Sequence, residues 1–231
     1  IKIRLTEEEI AKRYNEQKMR CPTHLSIGQE GVPAMLSVLT GKADLVVSSH
    51  RSHAHYIAKG GRLPQMIAEI YGKSTGCSSG KGGSMHLIDE DAGFMGSTAI
   101  VGNSIPIGVG LGLALKLDKS QGISIIYFGD GATEQGVYYE SLNFAALHKL
   151  PVLFVCENNA FSVYSPKSVR QPHNRSIVDV ASAMGVKSLH INGNDVNVSL
   201  SLLSDLVENV RSGKGPALLE ADTCRKLEHC G

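Results

Sequence analysis

The chain has 231 residues, 42% of them apolar and 19% charged, which is enough for one sizeable α/β domain with a core on both faces of a sheet. A formal net charge of +1 gives no general affinity for nucleic acid or acidic membranes. The apolar stretches are too short or too glycine-rich for a membrane span and no charged-then-apolar leader opens the chain, so a soluble protein is expected, with neither nucleic acid nor membrane among its partners.

In chain order, Thr6 to Arg20 is charged and helix-permissive, with Thr6 ahead of Glu8 and Glu9 as the expected cap. Gly28 to Leu39 reads as a second helix, and the β-branched "DLVVSS" (44–49) as a strand leading into a polar loop, "HRSHAH" (50–55). Leu63 to Tyr71 has a helical pattern. "GKSTGCSSGKGGSMH" (72–86) is a Gly- and Ser-rich loop of a length that usually carries a task. Residues 103–117 read as a buried helix whose glycines allow close helix approach, and "ISIIYF" (123–128) as a buried strand. A helix over 136–148, a strand over 151–157, helices at Val178–Met184 and Val196–Val210, and a strand over 216–223 complete the pattern. Strands alternating with helices predict an α/β fold, a parallel twisted sheet flanked by helices. With no internal repeat or low-complexity linker, one domain over 1–231 is expected.

Five cysteines, Cys21, Cys77, Cys156, Cys224 and Cys230, are scattered and include no CxxC pair. They indicate neither a disulfide framework nor a cysteine zinc site, and the expected compartment is the reducing cytoplasm.

Chemistry concentrates between 129 and 161. Gly129-Asp130-Gly131 follows one apolar strand and Asn158-Asn159 follows the next. Either motif alone is a common turn. At the carboxyl ends of consecutive strands, where such sheets bind ligands, one carboxylate and one carboxamide make an oxygen donor set suited to Mg²⁺ with phosphate oxygens. Flanking glycines admit backbone amides, and the helix beginning near Gly136 adds its positive end.

This stretch resembles the thiamine-diphosphate motif, GDG followed some thirty residues later by NN. Nearly the whole chain is similar to the alpha subunits of thiamine-dependent 2-oxoacid dehydrogenases of the pyruvate, branched-chain and acetoin types. The blocks carrying the resemblance are "HLSIGQE" (24–30), "SHRSHAHYIAKG" (49–60), "GKGGSMH" (80–86), "IVGNSIPIGVG" (100–110), "NFAALHKLPVLFVCENN" (143–159) and "GKGPALLEADTCR" (213–225), with "HRSHAH" most like the acetoin type. The resemblance implies a thiamine-diphosphate-binding fold with Mg²⁺ held by Asp130, the Asn159 side chain and the Phe161 carbonyl. It further implies Arg51 on the diphosphate, amides from Gly131 and Ala132, and Ala99 and Val101 along the aminopyrimidine side. His50 stands where many relatives carry tyrosine. His24 matches the substrate-side histidine and His229 the histidine on the loop over the cofactor, both implied to be catalytic.

The remaining histidines are read otherwise. His53, His55 and His86 are expected to support loops through hydrogen bonds, with His53 also close behind the site, and His148, His173 and His190 to be solvated or structural. Glu30 and Glu134 are read as helix-entry carboxylates. Many relatives carry Tyr-Arg-Tyr-His-Gly-His near the mobile loop, where this chain has "TCRKLEHCG", and they continue past the position of Gly231, so the C-terminal part of the family chain is expected to be missing here.

The resemblance implies a small oxo substrate, decarboxylated or cleaved, whose acyl unit passes to a lipoyl-bearing acyltransferase. No stretch resembles the pyrimidine-binding domain, so a beta subunit is expected to supply the activating glutamate within an alpha2beta2 heterotetramer. Two alternatives stand beside this reading: a transketolase-like aldehyde transferase without a lipoyl partner, and a non-catalytic regulatory subunit.

Overall fold

The computed structural model describes residues 1–19 and 21–230. Its elements are α1 (Lys2–Tyr14), α2 (Gly31–Leu39), β1 (Leu45–Ser48), α3 (His53–Ala58), α4 (Leu63–Ile70), β2 (Phe94–Ser97), α5 (Ser104–Leu117), β3 (Ser124–Gly129), α6 (Gly136–Leu147) and β4 (Val152–Asn158). A small hairpin of β5 (Phe161–Ser162) and β6 (Ser165–Pro166) follows, then α7 (Lys167–Arg170), α8 (Ile177–Ala183), β7 (Lys187–Asn192), α9 (Val196–Arg211) and β8 (Ala217–Asp222).

Six strands form one sheet in the order β2-β1-β3-β4-β8-β7, and every pairing is parallel. Because side chains alternate along a strand, each strand feeds two cores. Val46, Ile125, Tyr127, Leu153, Val155 and Leu219 face α1 to α4 and α9, while Val47, Ile126, Phe128, Phe154, Cys156 and Leu218 face α5, α6 and α8. All seven residues of β4 are buried, which is why Val152 to Cys156 are apolar in succession rather than alternating.

The sequence expectation of a parallel α/β sheet is met, with local differences. Helix α1 begins at Lys2, so Thr6 lies inside it instead of capping it; the helix is seated by Glu7, buried against His53 with Nδ1 3.3 Å from Oε1. Its end at Tyr14 falls well short of Arg20, which lies outside the described residues. The "HRSHAH" segment is a loop only up to Ser52, after which α3 begins. Strands β2 and β7 were not expected. Glycine in α5 serves the sheet rather than a neighbouring helix: a methyl group at Gly108 would collide with the side chain of Ile126. The loop 72–86 is gathered around buried Glu69, whose carboxylate accepts the amides of Ser78 (2.7 Å), Gly80 (2.9 Å), Gly82 (2.6 Å) and Gly83 (3.2 Å).

Strand order places β3 beside β1 although β2 intervenes in sequence, so the connections leave β1 and β3 in opposite directions. The crevice beyond the carboxyl ends of such a pair is where doubly wound sheets bind ligands.

Candidate active site

A cavity of about 170 Å³ opens at that crevice. The end of β1 brings Ser49, His50 and Arg51 to its wall, the end of β3 brings Gly129 to Ala132, and the end of β4 brings Glu157 and Asn159. His24, Ala99, Val101, Phe161 and His229 line it as well, so every residue that the resemblance assigns to the site faces one cavity.

The two halves of the motif are built differently. After β3, residues 130–134 form a short 3-10 turn, stitched by Thr133 Oγ1 donating to the Asp130 carbonyl at 2.7 Å. This turn stands between the glycine pair and α6, so the helix starts five residues after Gly131. Gly131 is required by close packing: a Cβ there would lie 2.8 Å from Ser162 Oγ of β5. Gly129, by contrast, faces open space.

After β4, both asparagines hold a chain reversal. Asn158 Oδ1 accepts the Ala160 amide and Asn159 Oδ1 accepts the Phe161 amide, each at 3.0 Å, two successive Asx turns that carry Ala160 into the left-handed region at φ 64°. Asn158 also donates to Glu220 at 2.8 Å on the other face of the sheet, while Asn159 donates to Gln29 at 3.0 Å inside the cavity.

Asp130 is 1% exposed and its Oδ2 lies 2.5 Å from Arg170 Nη2. Arg170 also pairs with Glu134 and donates to the Ser165 carbonyl, joining the turn after β3 to the segment after the hairpin. Arg51, 6% exposed, donates to the carbonyls of Leu25 at 2.5 Å and His229 at 3.2 Å. Burial and nearby Arg225 hold its pKa down to about 10, so it remains a cation at neutral pH. Of its five N–H donors two are used in these bonds, leaving three for a ligand.

His24, His50 and His229 cluster from three separate chain segments, with ring centroids 4.7 Å, 4.8 Å and 5.5 Å apart. Burial, then each other and Arg51, push His24 down to about 3; burial, Arg51 and His229 push His50 down to about 4. His229 is lowered as well, by burial, Arg51 and Arg225. All three are neutral at physiological pH. Arg225 lies 3.2 Å from His229 Nδ1 and donates to the Val163 carbonyl at 2.9 Å.

Of the other histidines, His53 and His55 sit deeper than expected, in α3 instead of a loop, whereas His86 is exposed and, among the described residues, joins its loop only through its carbonyl, which accepts Ser78 Oγ. His53 is buried between Glu7 and Ser84, and His55 spans Ser48 Oγ (2.7 Å) and Glu157 Oε2 (3.1 Å) while stacking on Tyr127. Glu30 accepts Arg4 and the Gly28 amide, and Glu134 accepts Arg170 and Gln171, so both carboxylates are structural. Sequence reasoning did not single out Gln29, Glu157, Arg170 or Arg225. Glu157 had a signal, a carboxylate at the end of a fully apolar strand; Arg170 had none, lying 40 residues from its partner.

Residues 2–230 match the family model described as "Dehydrogenase E1 component". The chain belongs to the dehydrogenase E1 component family. It is similar to the alpha subunit of the acetoin:2,6-dichlorophenolindophenol oxidoreductase of Bacillus subtilis, 36% identical over 99% of this chain and 68% of that one. It is also similar to the pyruvate dehydrogenase E1 component subunit alpha of Rickettsia bellii, 37% identical over 98% of this chain and 69% of that one. This E1 chain therefore spans about two thirds of the length of these alpha subunits. Among solved structures, transketolase from Campylobacter jejuni shares the fold, with a TM-score of 0.73 at 20% identity over 96% of this chain and 36% of that one.

The family depends on thiamine diphosphate, and the cavity fits such a group in two respects. Its buried polar atoms await partners: His24 Nδ1 and Glu157 Oε1 have none within the protein. Its lining also holds both kinds of donor that a cation–diphosphate pair needs, oxygen donors from Asp130 and Asn159 and the Arg51 guanidinium.

Proposed function

We propose that this E1 chain acts as the alpha subunit of a thiamine-diphosphate-dependent 2-oxoacid or acetoin dehydrogenase, which decarboxylates or cleaves a small oxo substrate and passes the acyl unit to a lipoyl-bearing acyltransferase. The observation that carries the reading is the convergence of Arg51, Asp130, Asn159, His24 and His229, from five segments of the chain, on one cavity at the β1–β3 crevice. Thiamine diphosphate, when bound, supplies the nucleophilic carbon and the electron sink.

Asp130, through the oxygen not bonded to Arg170, would hold Mg²⁺ together with the Asn159 side-chain oxygen and the Phe161 carbonyl. Arg51 uses its free N–H donors on the diphosphate, and Gly131 and Ala132 bring backbone to the same end. Ala99 and Val101 would make the apolar wall against the aminopyrimidine, and His50, beside His24 and His229, would also meet the cofactor. His24 and His229, kept neutral, present ring N–H groups to an oxyanion developing on the substrate, as a neutral imidazole can where a cation would lose its proton. Arg225 orients His229 through Nδ1.

Among the described residues, the cavity's carboxylates each have a protein partner, Asp130 in Arg170 and Glu157 in His55 through Oε2, with Glu157 Oε1 left unpartnered. No stretch of the chain resembles a pyrimidine-binding domain, so the glutamate that activates the cofactor is assigned to a beta subunit in an alpha2beta2 heterotetramer. The likeness to transketolase is one of fold, and no side chain in the cavity favours a transferase over a dehydrogenase. The test is turnover of pyruvate, branched-chain 2-oxoacids and acetoin by the purified chain, alone and with a separate beta subunit. Activity is expected only with the partner, and turnover by the chain alone overturns the division of labour.

A further inference from the structure

The three histidines of the cavity have a property that the dehydrogenase reading leaves unused. His24, His50 and His229 each place a ring nitrogen within 4.8 Å of the other two. Tetrahedral Zn²⁺ with Zn–N bonds of about 2.0–2.1 Å needs its nitrogen ligands about 3.3 Å apart, so each ring must move by roughly an ångström or less to enclose an ion. His24 is 6% exposed and its Nδ1 has no partner in the protein, an unpaired donor or acceptor set beside the cluster. The three side chains come from the segment before α2, the end of β1 and the segment after β8, so a shared ligand would cross-link parts of the chain far apart in sequence.

We infer that His24, His50 and His229 form a binding site for a borderline transition-metal ion, Zn²⁺ or Co²⁺, with three imidazole ligands and a fourth position open to water. This site differs in chemistry from the oxygen donors at Asp130 and Asn159. Imidazole nitrogen suits zinc, cobalt, nickel and copper, whereas Mg²⁺ prefers oxygen, so the two ions sort between the ends of one cavity. Coordination through His229 Nε2 moves that ring's proton to Nδ1, and the contact from Arg225 is released. Bound metal pins the 223–230 segment against β1 and takes the imidazoles out of any role toward substrate. The inference stands apart from the dehydrogenase reading, because it needs neither thiamine diphosphate nor a beta subunit.

The test is titration of the purified full chain, free of cofactor, with Co²⁺. One equivalent is expected to give the visible d–d absorption of a four-coordinate nitrogen site without thiolate charge transfer, removed by Zn²⁺ and unaffected by excess Mg²⁺. His50→Asn and His229→Asn are each expected to weaken the titration by roughly tenfold or more. A measurement on the unmodified chain is independent of how the variants fold: Zn²⁺ should slow hydrogen exchange across 223–230. Absence of the band, a thiolate charge-transfer band, full affinity in the His50→Asn/His229→Asn double variant, or unchanged exchange across 223–230 overturns the site.

Discussion

Arg170 sets a guanidinium nitrogen 2.5 Å from the carboxylate of Asp130, a group 1% exposed at the end of β3, and so fixes which oxygen of that carboxylate meets the cavity. Asp130 is buried and Arg170 largely so, and Arg170 is anchored at its other nitrogens by Glu134 and the Ser165 carbonyl. Removing one partner of a buried ion pair strands the other, at a cost of about 3 kcal/mol. Arg170→Ala is expected to lose stability of that order in urea unfolding. Since Mg²⁺ can take up the stranded charge, the variant should be stabilised by added Mg²⁺ more than the parent chain is. Equal responses to Mg²⁺ in the two proteins would remove Asp130 from the cation site.

The two glycines of the motif separate packing from ligand space. A Cβ at Gly131 meets Ser162 Oγ at 2.8 Å, and the turn is held on both sides, so Gly131→Ala should destabilise by roughly 1–3 kcal/mol. Ser162→Gly in the same chain should recover most of that loss. Gly129 has ordinary dihedrals, φ −87° and ψ 165°, with nothing near its would-be Cβ, so Gly129→Ala should stay within about 0.5 kcal/mol of the parent. Thermal or chemical unfolding of the three variants decides the matter, and equal destabilisation at both glycines would contradict it.

Acid should act on the fold through the histidine cluster. His50 and His24 are held at about 4 and about 3, below the ordinary 6.5, by burial first and then by Arg51 and His229, with His50 acting on His24 as well. The unfolded chain takes up protons below about 6.5 that the fold refuses, so these groups lower stability progressively as the pH falls from there toward their folded values. Carboxylates held low by partners, such as Asp44 and Asp89, lose their contribution at lower pH still. His50→Asn should therefore lose less stability between pH 7 and pH 5 than the parent. Parallel pH profiles for the two proteins would show that His50 titrates normally in the fold.

The parts of this fold legible in the sequence are those where burial is complete. Residues 125–128 and 152–156 are apolar on both faces because β3 and β4 lie at the centre of the sheet, and 44–49 and 216–223 flank them. Strands β2 and β7 are the edges. "FMGS" is short and contains glycine, and "KSLHIN" buries only Ile191, so neither stands out from a loop. Helix α3 was hidden for the opposite reason: His53 and His55 look like loop residues, yet they are buried with Glu7, Ser84, Ser48 and Glu157 as partners, and no local pattern announces such partners. Thr6 had the right chemistry for a cap but sits mid-helix, since Glu7 must reach the buried face.

The site was legible to the extent that its residues occur in motifs. Asp130, Asn159, Arg51 and the histidines were found, while Gln29, Arg170 and Arg225 depend on contacts across 130, 40 and 4 residues that only the folded chain reveals. Glu69, the organiser of the loop 72–86, was equally silent, because a carboxylate bound only by backbone amides leaves no mark on its partners' identities.

The central claim is that the cavity beyond β1, β3 and β4 is the diphosphate and Mg²⁺ half of a thiamine-diphosphate site. Isothermal titration of thiamine diphosphate with Mg²⁺ into the chain assembled with its beta subunit tests it most directly, in the parent and in Asp130→Asn and Asn159→Ala. The account predicts saturable binding that disappears in chelator and weakens by roughly 100-fold or more in each variant, about 2.7 kcal/mol, with assembly retained. Unchanged affinity in either variant, or in excess chelator, would contradict it.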